Sequence, residues 1–296
     1  MKKKFQDSNP KSVVTLFSSI SINRDHPTKA LTIVDLENSV SQAVWKFFDH
    51  CRSDAAERLG TNEMDLALTD ARILGVKIDG HKVLNPNGFT GKTLEITLSI
   101  SIVKGGDYEE GKLILDGGAV RGYMLADEIG DGEHYYIEVS SEDTRVYKVS
   151  LDEVTYINDF DWGVDKVYGV LEDELLLDFD TAKGVYAKYA RGDVSDHIKR
   201  RIDKHFYDNF SEMMDILKES LGNIGRGKKS FYLNSSIELP ENIYRKRFNL
   251  GNVKIGFSKP DKELDVEIFL DDNIHGIYED FNDLAIRRMK WLIPTK

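Results

Sequence analysis

A change of hydrophobic period near residue 60 constrains the fold more than any other feature of the sequence. Apolar residues recur at steps of three and four over residues 36–59, which predicts one long helix that ends at Gly60. From residue 64 to 103 the period shortens to two, and Asp79-Gly80 marks a tight turn between two of the resulting strands. A long helix followed by a strand-rich unit excludes both an all-helical and an all-β chain.

Strands and helices alternate along the rest of the chain as well. A β-rich segment from Ser12 to Ile22 precedes the long helix, and two later helical faces end at Gly192 and Gly222. The alternation predicts an α/β architecture. The apolar faces predict buried side chains in both halves of the chain, at Val44, Phe47, Leu66, Ile96, Leu98, Ile202, Phe206 and Phe210.

The balance of charges limits the class of partner. The chain has 296 residues, of which 51 are acidic and 40 are basic, so the formal net charge is −11. This excess of acidic residues argues against a surface that binds nucleic acid. A single cysteine, Cys51, excludes an intramolecular disulfide framework and a four-cysteine zinc site. No stretch approaches the roughly 18 apolar residues of a membrane span, so we expect a cytoplasmic protein.

Two segments approach known active-site motifs, and each lacks a part that its motif requires. Residues 222–229 match a P-loop up to the last position, where the motif needs Ser or Thr for magnesium and this chain has Lys229. The run from Leu115 to Gly122 resembles the oxyanion loop of patatin-like acyl hydrolases, but the chain has no Gly-x-Ser-x-Gly elbow. Because the seven histidines show no paired ligand spacing, we predict no metal site.

Two other segments carry a family resemblance. Residues 136–149 read as a strand, a turn of Ser140 to Asp143, then Thr144 and a second strand. This segment resembles the second phosphate loop of the actin-like ATPase superfamily. Residues 231–243 read as a strand that runs into Asn234-Ser235, and they resemble the adenosine loop of the same superfamily.

Within the superfamily, the chain resembles FtsA of bacterial cell division and PilM of type IV pilus assembly. The helix of residues 35–59 followed by the strands of 64–103, and residues 71–95 in particular, resemble the small inserted subdomain of those proteins, of the SHS2 type. The resemblance covers the chain from about residue 12 to 292 and implies a two-lobed actin-like (RNase H-like) α/β fold. It places the first lobe at 1–134, with the inserted subdomain at 60–104, and the second lobe at 135–296.

The resemblance also implies a nucleotide site, but in a degenerate form. Its positions in this chain are Glu138, Ser140, Ser141, Thr144, Asn234 and Ser235. Glu138 stands where the family has Asp, and Ser140, Ser141 and Glu142 stand where glycines are expected. Side chains at those positions hinder the close backbone approach that phosphate binding needs. The family's first phosphate loop, a strand ending in Asp-x-Gly, is expected to be missing, because the chain starts after it or has lost it.

These departures favour a non-catalytic actin-fold scaffold of the cell-division or pilus-assembly type, with no catalytic residue and no cofactor. Two alternatives stay open. One is a functioning ATPase that binds ATP and magnesium, with Glu138 holding magnesium through water and Thr144 contacting phosphate. The other is an unrelated α/β binding protein.

The resemblance implies protein partners at the inner face of the cell membrane, with self-association left open and no nucleic acid. Membrane association is expected to be indirect or to use a C-terminal helix over residues 284–293. The basic residues of that segment and Trp291 suit an anionic surface.

Overall fold

The fold of the chain is known from a computed structural model that describes residues 4–109, 112–129, 132–151, 153–222, 229–251 and 253–272. The C-terminal helix predicted from residue 284 and most of the P-loop-like segment lie outside these residues. The chain folds as two compact units. Unit 1 takes its described residues from 1–128, 151–154 and 265–296, and unit 2 takes them from 129–150 and 155–264.

Unit 1 combines one long helix with a strand-rich sheet. Its elements in chain order are β1 (Lys4–Asp7), β2 (Val13–Asn23), α1 (Ile33–Leu59), β3 (Leu66–Ile78), β4 (His81–Lys82), β5 (Thr93–Lys104), β6 (Lys112–Leu115) and α2 (Gly117–Ile129). Four strands form an antiparallel sheet in the order β2-β5-β3-β4, while β1 pairs in parallel with β6. Strand β2 and helix α1, which precede the predicted subdomain at 60–104, share one sheet and core with its strands β3 and β5.

Helix α1 has clear signals at both ends. The Thr32 side chain accepts a hydrogen bond from the Asp35 backbone, and the Asp35 carboxylate accepts one from the Thr32 backbone, which makes a capping box. Gly60 ends the helix in the left-handed conformation, as predicted. The apolar stripe of α1 packs on one face of the sheet, and the five residues predicted to be buried in this half of the chain are all buried.

The opposite face of the same sheet is polar, yet much of it is buried. Thr15 Oγ1 and Ser101 Oγ form a hydrogen bond of 2.9 Å. Arg72 Nε donates to Asp70 Oδ2 at 2.5 Å, and Arg72 Nη1 donates to the Leu270 carbonyl at 3.2 Å. Buried polar groups of this kind are held by such partners, so this layer is stable only when its hydrogen bonds are complete.

Unit 2 is a mixed sheet covered by three helices. Its elements are β7 (His134–Val139), β8 (Thr144–Ser150), β9 (Glu153–Phe160, in unit 2 from Thr155), α3 (Val164–Leu175), α4 (Phe179–Arg191), α5 (Asp196–Leu221), β10 (Ser230–Ser235), α6 (Asn242–Arg245), β11 (Phe248–Leu250), β12 (Val253–Ile255) and β13 (Phe257–Ser258). The sheet order is β13-β10-β7-β8-β9, with β7, β10 and β13 parallel. Ile202, Phe206 and Phe210 of α5 are buried, as predicted.

The predicted division into residues 1–134 and 135–296 differs from these two units at the C-terminal end. A last described helix, α7 (Val266–Asp272), belongs to unit 1 rather than to unit 2. It does so because Arg72 donates to the Leu270 carbonyl and the Phe269 ring meets Tyr123 edge-on at 6.1 Å. Both contacts join residues that are far apart in sequence.

The helical face predicted to end at Gly192, whose apolar residues run from Leu175 to Tyr189, spans two helices in the structure. Leu176 ends α3 in the left-handed conformation, with φ of 53°, and Asp178 caps α4 by accepting from the Thr181 backbone at 3.0 Å. The prediction was wrong here because the apolar residues keep a helical spacing across the break. The cap at Asp178 is the sequence signal that marks the second start.

We expect Phe206→Ala to lower the free energy of unfolding by roughly 3–5 kcal/mol, because it leaves a cavity among packed rings. Phe206 is 0% exposed and lies within ring-contact distance of Tyr186, Tyr189 and Phe210. Urea unfolding measures the change. As a control, Leu176→Ala should change stability by no more than about 0.5 kcal/mol, since Leu176 is 90% exposed. Equal effects of the two substitutions would contradict this view of the core.

Candidate functional site

Two loops of unit 2 meet at one edge of the sheet. Strands β7 and β10 are parallel neighbours, with Val139 opposite Ser235 at their ends, and the Ser236 backbone donates to the Val139 carbonyl at 3.1 Å. The structure therefore brings the predicted phosphate-loop and adenosine-loop residues together. The carboxyl ends of parallel strands are where open α/β sheets usually bind ligands, so this edge is the candidate site.

The side chains of the adenosine-loop segment are engaged within unit 2. Asn234 Nδ2 donates to the Tyr136 hydroxyl at 3.0 Å, and Ser235 Oγ accepts from the Ile237 backbone at 3.3 Å. Glu138 lies in register between Asn234 on β10 and Arg145 on β8. The Asn234 and Ser235 side chains therefore hydrogen-bond with other groups of the protein.

Arg145 neutralises the acidic charge next to the turn. Its Nε donates to Asp143 Oδ2 at 3.1 Å. Burial lowers the pKa of Arg145, but the charges of Asp143, Tyr147 and Glu138 raise it, and the net shift of the pKa is upward. Asp143 therefore does not act as an uncompensated negative charge, and Glu142, which is exposed, is the acidic side chain of this turn that faces solvent.

The turn between β7 and β8 uses its own hydrogen-bonding groups. The Ser140 backbone donates to the Asp143 carbonyl at 2.8 Å. Ser140 Oγ accepts from the Glu142 backbone at 3.2 Å and from the Asp143 backbone at 3.0 Å, and it also hydrogen-bonds with the Asp143 carboxylate. Three backbone amides of the turn, those of Ser140, Glu142 and Asp143, therefore have partners inside the turn.

The N-terminus of α3 is closed by the same turn. The Val164 backbone donates to the Ser140 carbonyl at 3.1 Å, and the Asp165 backbone donates to the Ser141 carbonyl at 2.9 Å. These are two of the amides that a helix leaves unsatisfied at its start and that often bind anions. Gly163 permits the contact, because a Cβ there would lie less than 3.0 Å from the Ser141 and Glu142 backbones.

Thr144, the residue expected to contact phosphate, supports the fold instead. It is 0% exposed, and its Oγ1 donates to the Trp162 carbonyl at 2.6 Å. Trp162 in turn donates from its indole Nε1 to the Asn209 carbonyl at 3.1 Å. The Thr144 hydroxyl therefore links the start of β8 to the segment before α3.

The residues at this edge do not fit a triphosphate. A phosphate loop needs free backbone amides and glycines that let the ligand approach. Here the amides of Ser140, Glu142 and Asp143 donate within the turn, and those of Val164 and Asp165 donate to its carbonyls. The six predicted site residues lie on this edge and in the turn beside it. The amides of the turn and of the start of α3 hydrogen-bond with acceptors of the turn.

Unit 1 contains a strand that the sequence reasoning missed. The first phosphate loop was expected to be absent, but β1 is present and ends at Asp7. Ser8 and Asn9 follow, so Asn9 stands at the position that is glycine in the Asp-x-Gly pattern. The short polar run has no period-two pattern, and β1 forms because its partner, β6, supplies the apolar residues Leu113 to Leu115.

The Asp7 carboxylate lies at the start of α2. Its Oδ1 accepts from the Gly117 backbone at 2.9 Å, and its Oδ2 accepts from Arg121 Nη2 at 3.0 Å. A Cβ at Gly117 would lie less than 3.0 Å from the Asp7 carboxylate, so the contact requires glycine. In the segment that resembles an oxyanion loop, the Gly117 amide thus donates to a carboxylate of the protein itself. The pattern of Asp116-Gly117-Gly118 was the available signal of a close approach at this position.

Lys229, the last position of the P-loop-like segment, forms an ion pair. Its Nζ donates to Glu133 Oε1 at 2.6 Å, and Lys148 Nζ lies 3.2 Å from Glu133 Oε2. The hydrogen bond from Lys229 is the main cause that lowers the pKa of Glu133 to about 2, helped by Lys148 and opposed by desolvation. Lys229 joins the starts of β7 and β10 in this way.

The described residues contain neither a cluster of metal ligands nor a helix suited to a membrane span. No group of three or more His, Cys, Asp or Glu side chains in this part of the chain could hold a metal ion. Among the same residues, no helix has both the length and the apolar character required to cross a bilayer.

Comparison with known proteins gives matches to solved structures alone. No family model matches the chain, and no curated protein matches it. A structure of the PilM-PilN type IV pilus biogenesis complex matches with 13% identity and a TM-score of 0.42, over 96% of this chain and 77% of that chain. The ethanolamine utilization protein EutJ from Carboxydothermus hydrogenoformans matches with 14% identity and a TM-score of 0.40, over 60% of this chain and 57% of that chain.

The archaeal actin homolog Ta0583 matches with 14% identity and a TM-score of 0.37, over 66% of this chain and 61% of that chain. The chain therefore spans less than two thirds of the EutJ and Ta0583 structures. These structures include an actin homolog and PilM, the kinds of protein that the sequence resembles. At such identities and TM-scores the likeness is distant.

We expect Gly163→Ala to destabilise unit 2 by roughly 1–3 kcal/mol, because the added methyl group overpacks the contact between the turn and α3. Gly169→Ala in the same helix is the matched control. No atom lies within 4 Å of a Cβ at Gly169, so this change should stabilise the helix by about 0.5–1 kcal/mol. Urea unfolding of both variants measures the difference, and a neutral Gly163→Ala would disprove the close contact.

We expect Lys229→Met to lower stability in a pH-dependent way. The pKa of Glu133 is about 2 in the folded chain, below its ordinary value of 4.5. The stabilisation is therefore fully present above about pH 4.5 and is lost as the pH falls toward 2. The difference in unfolding free energy between wild type and variant should shrink over that range. Lys148→Met, which removes the weaker and more exposed partner, should show the same trend with a smaller amplitude. A difference that does not change with pH would contradict the assignment.

Proposed function

We propose that this chain is a non-catalytic scaffold of actin-like architecture, which binds partner proteins and does not hydrolyse ATP. The observation that carries the proposal is the turn from Ser140 to Asp143. Its amides donate within the turn, and its carbonyls accept from the start of α3. A ligand phosphate would have to break several of these hydrogen bonds, and each of them contributes about 0.5–1.5 kcal/mol to stability.

The wider role follows from the sequence resemblance. The resemblance is to proteins of bacterial cell division and type IV pilus assembly, and it implies protein partners at the inner face of the cell membrane. The net charge of −11 supports partners other than nucleic acid. The inserted subdomain of the SHS2 type is part of this proposal, and β2, α1, β3 and β5 form one unit with its own core in that part of the chain.

The proposal predicts that millimolar Mg-ATP does not raise the thermal midpoint of the full chain. A ligand present at 100 times its dissociation constant would stabilise the folded chain by about 2.7 kcal/mol, which a thermal scan detects easily. Mg-GTP at the same concentration controls for effects of ionic strength and magnesium. A clear stabilisation by Mg-ATP, with phosphate release on incubation, would instead support the functioning ATPase.

A variant of Thr144 separates the two functions further. Thr144→Val removes the donor to the Trp162 carbonyl and leaves that acceptor unpaired, so we expect a loss of roughly 1–3 kcal/mol in stability. The scaffold proposal predicts the same loss with and without Mg-ATP. If Thr144 bound phosphate, the loss would be larger in the presence of Mg-ATP, because the nucleotide would stabilise only the wild type.

A further inference from the structure

The two edges of the sheet in unit 1 differ in how they are protected against pairing. An exposed strand edge invites another strand, and proteins usually block it with bulges, charges, proline or a very short strand. On one side, the register of β3 with β5 breaks between Leu68 and Asp70 and again between Ile73 and Gly75. Beyond it, β4 has only two residues, one of them Lys82. That edge carries the usual protection.

The edge formed by β2 has none of these devices. All 11 residues from Val13 to Asn23 pair with β5 in one unbroken register. The strand VVTLFSSISIN contains no charged residue, no proline and no glycine. Among the described residues, no backbone hydrogen bond joins Val14 to Asn23 with any strand other than β5.

The second half of β2 is the accessible part. At the first half, the Asp116 backbone donates to Thr15 Oγ1, and the Tyr123 ring stacks on Phe17 at 4.4 Å. From Ser18 to Asn23 the side chains are half-buried or exposed, apart from Ile22. Ser21 and Asn23 are exposed and still uncharged, although these are positions where a protective lysine would fit.

We propose that β2 pairs antiparallel with β2 of a second copy of this chain, with a twofold axis at Ile20. Such pairing places Ser19 of one copy opposite Ser21 of the other, and Ser18 opposite Ile22. A twofold axis through one residue keeps each face of the strand on its own side. The pairing would join the two sheets into one of eight strands.

The pattern of β2 suits its own copy. On one face, Ile20 and Ile22 pack with the core beneath α1, and the second copy would extend this apolar row. On the other face, Ser19 Oγ hydrogen-bonds with Thr97 Oγ1 at 2.8 Å, and the second copy would extend this row of hydroxyl groups. Because the strand carries no charge, self-pairing sets no like charges opposite each other, even though the whole chain is acidic.

The dimer gives the proposed scaffold a definite self-association surface, and in that sense it rests on the proposed protein-binding role. Nucleotide binding and dimer formation are measured separately. The chain could be monomeric and still fail to bind Mg-ATP, in which case the proposed dimer alone would be wrong.

Sedimentation velocity on the full chain tests the pairing over a range of concentrations. The wild type should show a dimer that grows with concentration. The variant Ser19→Lys with Ser21→Lys sets like charges opposite each other twice across the axis, and it should weaken association at least about tenfold. The matched variant Ser19→Lys with Ser21→Glu sets opposite charges there, and it should retain the dimer.

Both variants lose the same Ser19 hydroxyl, so their circular dichroism spectra should agree, and their thermal midpoints should agree at concentrations low enough for both to be monomeric, which separates pairing from folding. A monomeric wild type at every concentration would overturn the proposal and would favour cover by another segment or a peptide of another protein. A dimer that tolerates both lysines would place the interface elsewhere. Equal dissociation of the two variants would overturn the pairing at Ile20.

Discussion

The contact between the Ser140–Asp143 turn and the start of α3 engages the backbone amides at the candidate site of unit 2. The Val164 and Asp165 amides of the helix donate to the carbonyls of Ser140 and Ser141, and Gly163 lets the two backbones come close. A backbone amide has one hydrogen to donate. Amides that anchor the turn therefore cannot also wrap a phosphate, so holding this loop in place and binding a nucleotide at it are competing uses of the same groups.

The start of α2 in unit 1 is satisfied by a different kind of group. There the acceptor is the Asp7 carboxylate, which takes the Gly117 amide and Arg121. A carboxylate at a helix N-terminus is favourable because it faces the positive end of the helix dipole. Both units thus fill with their own atoms the kind of position where other α/β proteins hold anions. In each case a glycine makes the approach possible, at Gly163 and at Gly117.

The sequence predicted those helices and strands whose own side chains form the hydrophobic core. The stripe of α1 and the alternation of β3 and β5 are set by which side chains face the core, so period alone located them. Strand β1 was missed because its pairing partner, β6, lies more than 100 residues away, and no local pattern reports such a partner. The break at Leu176 was missed because a left-handed leucine is rare, and the apolar spacing continues through it.

The sequence predicted which loops lie next to each other but not which contacts their side chains make. The resemblance placed the two loops at neighbouring strand ends, and the register of Val139 with Ser235 brings them together. Which groups the side chains would bind did not follow from residue types. Thr144 suits a phosphate contact as well as it suits a buried bond to a carbonyl, and the position of Trp162 decides between them.

Ser140 likewise stands where a glycine was expected, and its hydroxyl accepts from the amides that the glycine would have left free. One substitution therefore both removes the open backbone and stabilises the closed turn. Serine at this position therefore favours a structural role for the turn in two ways. It lacks the backbone freedom of glycine, and its hydroxyl engages the amides of the turn.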